Sequence, residues 1–245
     1  MKTKLHVNPS IRTIINGREI PRQAVLEWEQ RRAQTVLRKL GVSPANQDLA
    51  TLRRQLLDRK LELGAEGLMK ALRLELGISS PLADLTAAMS RGSRRFSVTE
   101  LIVSGGTAEH FVDWFHERTR NNDELAMLSA APDHYIIRTN VDGVQEVVET
   151  TGGAPFATCF FINYSDLSSL RSPPDHAYPL QIAGVARSAK GIALGGVRHQ
   201  FRNEGAGFRA KLLVEFPLLI LPQVVSGHQW HLASEFGNWI DAAFA

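Results

Sequence analysis

The order of apolar and polar positions divides the chain into a helical first part and a strand-rich second part. A first helix is predicted between Pro21, which suits the first turn of a helix, and Gly41, which suits a stop, because apolar residues recur there at near-helical spacing. A second helix is predicted for about 46–63, ending at Gly64, and a third, short helix runs to Gly77. This part is predicted to be a helical cap or a dimer-forming extension.

From about residue 96 the apolar residues recur with a period near two, and β-branched and aromatic residues become frequent. Six or seven strands are predicted, within 96–104, 134–141, 144–150, 156–164, 180–187, 195–201 and 209–220. Helices are predicted for 108–120 and for about 227–244. Strands followed by a C-terminal helix indicate an α+β fold in which a curved antiparallel sheet closes against that helix. We therefore predict a helical N-terminal extension over 1–95 and a sheet-and-helix domain over 96–245.

Composition places the chain among ordinary globular proteins. It has 245 residues, of which 44% are hydrophobic and 22% charged, which suits one large domain or a domain with an appendage. The first residues carry lysines without the apolar region of a signal peptide, and no apolar run approaches the roughly 18 residues of a membrane span. A cytoplasmic protein without a membrane partner is expected.

Charge is distributed unevenly along the chain. Residues 1–98 hold 18 Lys and Arg against 9 Asp and Glu, whereas the remainder holds 10 against 16. A basic helical half is compatible with nucleic-acid binding. Its basic residues are interleaved with glutamates at helical spacing, as in LRRQLLDRKLELG (52–64), and this pattern is typical of a solvated helix face. No nucleic-acid partner is therefore predicted, and a homodimer through these helices is the alternative use of the surface.

A predicted hairpin brings a histidine and a glutamate together. The pair Asp142-Gly143 is a strong hairpin signal between two strand-like runs. With a two-residue turn or a four-residue loop alike, His134 and Glu149 share one face of the hairpin and Glu146 lies on the other. Only a loop of odd length would exchange the two glutamates. His134 is thus a candidate ligand, with a hydrogen-bonded core histidine as the alternative.

The C-terminal stretch HQWHLASEFGNW (228–239) supplies a second pair. In a helix His231 and Glu235 lie four residues apart on one face, and His228 lies one turn earlier. If the sheet grips this helix, the two His/Glu pairs can converge. Two imidazoles and two carboxylates suit a divalent zinc, manganese or iron ion. The alternatives are a surface hydrogen bond for the pair, and for His228 either an outer position at the site or an exposed loop.

Four stretches resemble the zinc-dependent 2,4-diacetylphloroglucinol hydrolases and the related phloretin hydrolases. They lie at 111–134 (FVDWFHERTRNNDELAMLSAAPDH), 147–153 with 161–170 (VVETTGG, FINYSDLSSL), 197–212 (VRHQFRNEGAGFRAKL) and 231–239 (HLASEFGNW). The resemblance spans roughly residues 96–240 and implies a helix-grip fold, similar to birch-pollen allergen, for the catalytic domain at 96–245. It implies that one zinc ion is bound by His134, Glu149, His231 and Glu235, and that His199 is the catalytic acid or base.

The same resemblance implies a reaction. The family hydrolyses a carbon–carbon bond between an aromatic ring and an acyl group, so the expected substrate is an acylphenol or a β-diketone-like small molecule. Two features depart from the family pattern. The position of the family's substrate-holding tyrosine falls near Ala126 or Met127 in this chain, and the family's Arg-x-Arg-Phe-Trp strand is replaced by FRAKLL (208–213). The resemblance therefore implies the metal and the hydrolytic chemistry more than a particular substrate.

A second function fits the same residues. A helix-gripping sheet encloses an apolar cavity, so a small-molecule-binding protein without turnover is the alternative. His199 separates the two functions, because a carrier has no chemical need for it. Without the resemblance, His199 is equally well a strand histidine satisfied by a backbone group. Arg209 is predicted to form a salt bridge rather than to bind a substrate oxygen.

Overall fold

An antiparallel sheet of nine strands dominates the computed structural model, which describes residues 9–44 and 47–245. The strands are β1 (Ser10–Ile15), β2 (Arg18–Ile20), β3 (Arg94–Ser104), β4 (His134–Thr139), β5 (Val144–Glu149), β6 (Thr158–Asn163), β7 (Leu180–Arg187), β8 (Ala193–Glu204) and β9 (Gly207–Pro217). Their order across the sheet is β2-β1-β3-β9-β8-β7-β6-β5-β4. The strands β1 and β2 were not predicted, so strands from both sides of residue 95 share one sheet, and the domain division there stays a prediction.

Six α-helices and one short 3-10 turn accompany the sheet within the described residues. They are α1 (Arg22–Lys39), α2 (Leu49–Ala71), α3 (Arg73–Met89), α4 (Ala108–Arg120), α5 (Glu124–Ser129), the turn Thr151–Gly153 and α6 (Pro222–Ala243). Helix α6 packs on the sheet, which confirms the α+β fold with a C-terminal helix against an antiparallel sheet. No helix among these has both the length and the apolar character needed to cross a bilayer.

The N-terminal helices follow the prediction in part. Gly64 does leave the helical conformation, with φ of 59°, but α2 resumes beyond it. The predicted stop at Gly77 is wrong, because α3 continues through Gly77 and Pro81 to Met89. This helix packs on β6 and β8, and such packing outweighs the cost of about 1 kcal/mol for a mid-helix glycine. The predicted start of the second helix, at 46, lies outside the described residues.

The hairpin β4–β5 lies between two apolar cores. On one face Ile137 and Val147 join the cluster between the sheet, α4 and α6. On the other face Tyr135, Ile136 and Val148 join the cluster formed by the N-terminal helices. Burial of both faces is consistent with the three consecutive apolar residues Tyr135, Ile136 and Ile137 of β4. The helical part therefore covers the back of the hairpin that carries two of the predicted ligands.

A buried lysine, Lys60 of α2, closes this second core. Only 2% of it is exposed, and its Nζ donates to the carbonyl oxygens of Leu128 (3.4 Å) and Ala131 (3.2 Å). Burial lowers the pKa of Lys60 to about 7, although the charge of Asp133 opposes the shift. The ammonium form is therefore costly in the folded protein.

The stability of the protein is expected to depend on pH through Lys60. Between pH 7 and pH 10.5 the unfolded chain keeps the lysine proton that the folded protein has released. The free energy of unfolding should rise with pH across this window, with a slope approaching about 1.4 kcal/mol per pH unit. Urea unfolding of Lys60→Met should show a flatter dependence, while Lys70→Met, at an exposed site of the same helix, keeps the wild-type slope. Equal slopes in the two variants would contradict the assignment.

Candidate metal centre

The first His/Glu pair is formed by the hairpin β4–β5, where His134 lies directly opposite Glu149. The connection is of odd length, since Thr139 pairs with Gln145, and an odd connection alone would exchange the faces. A bulge between His134 and Ile136 shifts the register by one residue and restores the predicted pairing. The prediction for the pair is confirmed, but the even-length loop assumed for it is wrong.

The second pair lies on α6, which begins at Pro222, earlier than predicted. His228 is consequently inside the helix and buried, so the exposed-loop alternative is wrong. The rings of His228 and His231 stack with centroids 5.0 Å apart, and the edge of Phe216 meets His228 at 5.2 Å. Glu235 follows one turn after His231 on the same buried face.

The four predicted ligands converge. The Nε2 atom of His134 lies 3.2 Å from Nε2 of His231, 3.2 Å from Oε1 of Glu235 and 3.7 Å from Oε2 of Glu149. The Nε2 atom of His231 lies 3.7 Å from a carboxylate oxygen of each glutamate. Two overlapping groups of three buried donors can each hold a metal ion: one is His134, His231 and Glu235, and the other is Glu149, His228 and His231.

The donor separations of 3.2–3.7 Å are close to those around a four-coordinate metal ion. Ligand distances of about 2.0–2.2 Å around zinc place neighbouring donor atoms about 3.3–3.6 Å apart. The Nδ1 atom of His134 lies 3.2 Å from the carbonyl oxygen of Met127, and a ring N–H donated there leaves the Nε2 lone pair facing the other donors. Among the described residues no Lys or Arg lies within 4.0 Å of the carboxylates of Glu149 and Glu235. A divalent cation would supply the missing positive charge.

Burial shifts the pKa values of the His and Glu side chains in the cluster. Burial lowers the pKa of His134, but its hydrogen bond to Glu235 and the charges of Glu235 and Glu149 together raise it above its ordinary value. Burial raises the pKa of Glu149 to about 7, opposed by His134 and reinforced by Glu235. Burial, with the neighbouring His228 and His134, lowers the pKa of His231 far below its ordinary range. His231 is therefore neutral, as a metal ligand must be.

Two glycines allow the ligand-bearing elements to approach each other. After Glu149 the chain forms the turn Thr151–Gly153, which packs on α6. A Cβ atom on Gly227 would lie 2.0 Å from the carbonyl oxygen of Gly152, and one on Gly152 would lie 2.2 Å from that of Val224. Backbone thus touches backbone where the hairpin meets the helix. This contact sets the distance between the two His/Glu pairs.

Helix α1 contacts His231 and the residue that precedes His134. Arg32 donates to the carboxylate of Asp133, next to His134, with a shortest N···O distance of 2.6 Å. The edge of the His231 ring meets Trp28 at a centroid distance of 6.4 Å. Neither contact was predicted: Trp28 is one of the apolar residues that recur at near-helical spacing in the first predicted helix, and nothing in the sequence distinguishes Arg32 from the other basic residues of that helix.

A cavity of about 490 Å³ opens beside the cluster. Its lining is mostly apolar, and His134, Glu149, His228 and Glu235 reach it. The lining residues that are also exposed mark its mouth: Leu82, Pro155, Phe156, Leu219 and Leu221. The volume falls within the range of about 300–1,000 Å³ that small-molecule sites occupy.

His199 lies on the wall of this cavity, on β8, with its ring 4.7 Å from that of Phe236. Its Nδ1 atom is buried and has no hydrogen-bond partner among the described residues, so a backbone group does not satisfy that nitrogen. Burial and the neighbouring His228 lower the pKa of His199 to about 3. The His199 ring is therefore neutral near neutral pH, whereas the sequence alone indicates only the ordinary pKa of a histidine. Arg209, in contrast, pairs with Glu100 as predicted.

Two further polar residues of the cavity, Gln145 and Tyr164, escaped the sequence analysis. Gln145 occupies an inward position of β5, and Tyr164 follows directly after β6. No clear signal in the sequence marks them, because Gln145 and Glu146 are consecutive polar residues of the strand and either could face the solvent.

Comparison with protein-family models and curated sequences identifies no relative of this chain. No protein-family model matches the chain, and no curated protein sequence matches it. The resemblance to the diacetylphloroglucinol hydrolases accordingly stays a prediction.

Proposed function

We propose that the protein is a zinc-dependent hydrolase of helix-grip fold that cleaves a carbon–carbon bond of an acylphenol or β-diketone-like small molecule. The observation that carries the proposal is the convergence of His134, Glu149, His231 and Glu235 at a largely apolar cavity, with His199 on its wall. An apolar cavity with a few converging polar groups is the usual form of a small-molecule site.

The division of labour follows from the positions of the residues. His134, Glu149, His231 and Glu235 would hold one zinc ion. Zinc, when bound, supplies Lewis-acid polarisation of a carbonyl oxygen and activates water. The apolar wall binds the body of the substrate and excludes bulk water. In the overall reaction the bond between the ring carbon and the acyl carbon breaks, the ring carbon gains hydrogen, and the acyl carbon gains hydroxyl from water.

His199 would move the proton. A neutral imidazole accepts a proton at one nitrogen and releases one from the other, so it can act as a relay even though a pKa of about 3 makes it a poor store of protons. Its buried Nδ1 atom, without a partner among the described residues, leaves one nitrogen available for this exchange.

Replacement of His199 should separate hydrolysis from binding. His199→Ala is expected to retain zinc and to lose about 100-fold or more in turnover of acylphenols and β-diketones, because general acid–base groups contribute at least that much. His176→Ala, at an exposed loop position, is the matched control and should keep wild-type activity. Turnover is followed by chromatography of the carboxylic acid released, and zinc by mass spectrometry.

The alternative, a carrier of the same fold, has its own support. The cavity is mostly apolar, and the family's substrate-holding tyrosine has no counterpart at Ala126 or Met127. A wild-type protein that binds such ketones without turnover, and whose affinity is unchanged in His199→Ala, would favour the carrier. The proposed homodimer also stays a prediction, and α3 leaves several apolar side chains exposed on one side: Leu74, Ile78, Leu82, Leu85 and Met89.

A further inference from the structure

The cavity contains a second polar position, away from the cluster of His and Glu residues. Gln145 and Glu149 lie on the same face of β5, four residues apart, which corresponds to about 13 Å along the strand. Val147, between them on this face, is apolar. A ligand that reaches from one end to the other therefore crosses an apolar stretch before it meets a polar group again.

This second position consists of Gln145 and Tyr164. The hydroxyl of Tyr164 donates to Oε1 of Gln145 at 2.9 Å. Only 4% of Gln145 is exposed; its Nε2 amide has no hydrogen-bond acceptor among the described residues and is not one of the fully enclosed polar atoms, so it is open to the cavity. The ring of Tyr164 packs edge-on against Phe115 at 6.3 Å, and Ile162 also lines this part of the cavity. Gln145 and Tyr164 are thus a polar pair within a mostly apolar part of the cavity lining.

The hydrogen-bonding capacity of the pair identifies the group that it suits. An amide N–H that faces the cavity without an acceptor is available to a ligand atom that accepts a hydrogen bond. The proton of Tyr164 is already donated to Gln145, so the tyrosine oxygen remains an acceptor. A hydroxyl group can accept from Gln145 and donate to Tyr164. A carboxylate cannot donate, and the described residues that line the cavity include no Lys or Arg to neutralise one.

We propose that Gln145 and Tyr164 form a subsite for a hydroxyl group at the far end of the ligand. The substrate then has an uncharged polar group at each end of an apolar body, with its ketone beside the His and Glu cluster. The near end of this description rests on the proposed function, whereas the far end rests on the geometry of Gln145 and Tyr164 alone.

The experiment is isothermal titration calorimetry of the full chain with a ten-carbon methyl ketone and with the analogue that carries a terminal hydroxyl. The wild type is expected to bind the hydroxylated ketone at least about tenfold more tightly, because the deoxy analogue leaves buried polar groups unpaired. Gln145→Leu should remove this preference and Tyr164→Phe should reduce it. Val147→Ala, midway along the same strand, is the matched control and should weaken both ketones equally.

Titrations with and without zinc distinguish this subsite from the proposed reaction. A hydroxyl preference that persists without zinc supports the subsite even if the zinc-dependent chemistry is wrong. The subsite would be overturned if the wild type bound the two ketones with equal affinity or bound neither. It would also be overturned if Tyr164→Phe and Gln145→Leu both kept the wild-type preference for the hydroxylated ketone. Tyr164→Phe keeps the ring packed on Phe115, so the test stands even if Gln145→Leu does not fold.

Discussion

Protein prepared without chelator is expected to contain about one zinc ion per chain, and the double variant His231→Ala, Glu235→Ala is expected to contain none. The double change removes two of the four proposed ligands and leaves only His134, Glu149 and the neighbouring His228 in the buried site. Loss of an outer partner of a metal ligand already costs about 10–100-fold in affinity, so loss of two ligands should exceed 100-fold. Mass spectrometry gives the metal content, and competition with a chromogenic chelator gives the affinity.

The control for this experiment is His176→Ala, which removes an exposed imidazole and should leave zinc content unchanged. A wild type with only traces of any divalent metal would contradict the proposed centre and favour the carrier. Binding of manganese or iron in place of zinc would keep the four ligands and change the ion, since imidazole and carboxylate donors accept all three.

Gly227→Ala is expected to destabilise the protein, although alanine ordinarily stabilises the middle of a helix. The new Cβ atom would lie 2.0 Å from the carbonyl oxygen of Gly152, so the turn after Glu149 must move away from α6. We expect the free energy of unfolding to fall by about 3 kcal/mol, as in an overpacked core, and zinc affinity to fall with it.

A matched substitution gives the opposite expectation. Gly77 lies in the middle of α3, and a Cβ atom there meets nothing within 4 Å. Gly77→Ala should therefore raise the free energy of unfolding by about 0.5–1 kcal/mol, the usual helix preference for alanine over glycine. Urea unfolding of both variants measures the contrast, and a Gly227→Ala protein as stable as Gly77→Ala would refute the close contact with Gly152.

The hairpin shows how far sequence reasoning reached. Alternation of side chains placed His134 and Glu149 on one face, and the structure pairs them directly. The connection is of odd length, however, and the bulge at Tyr135 compensates for it. A bulge depends on how a strand packs between two cores, so a local pattern cannot reveal it. The predicted pairing is correct, but the loop length assumed for it is not.

The other misses share a physical origin. The strands β1 and β2 are short and pair with each other, and β1 joins the sheet through pairing with β3, which is distant in sequence. Helix α3 passes its glycine because one face packs on the sheet. His228 is buried because α6 starts a turn and a half earlier than the pattern indicated. Convergence of the two His/Glu pairs was likewise conditional on tertiary packing, and the contact of Gly152 with Gly227 had no signature of its own.

The position of β4 gives the N-terminal helices a purpose beyond covering the hairpin. β4 is the last strand of the sheet order, and its residues Tyr135, Ile136 and Ile137 are apolar and buried. A terminal strand of this composition is a template for pairing with another chain when its surroundings are removed. Helices α2 and α5 pack on β4. A chain that lacks residues 1–80 would therefore be prone to intermolecular β-pairing and aggregation. In the full chain the helical part prevents this by covering β4.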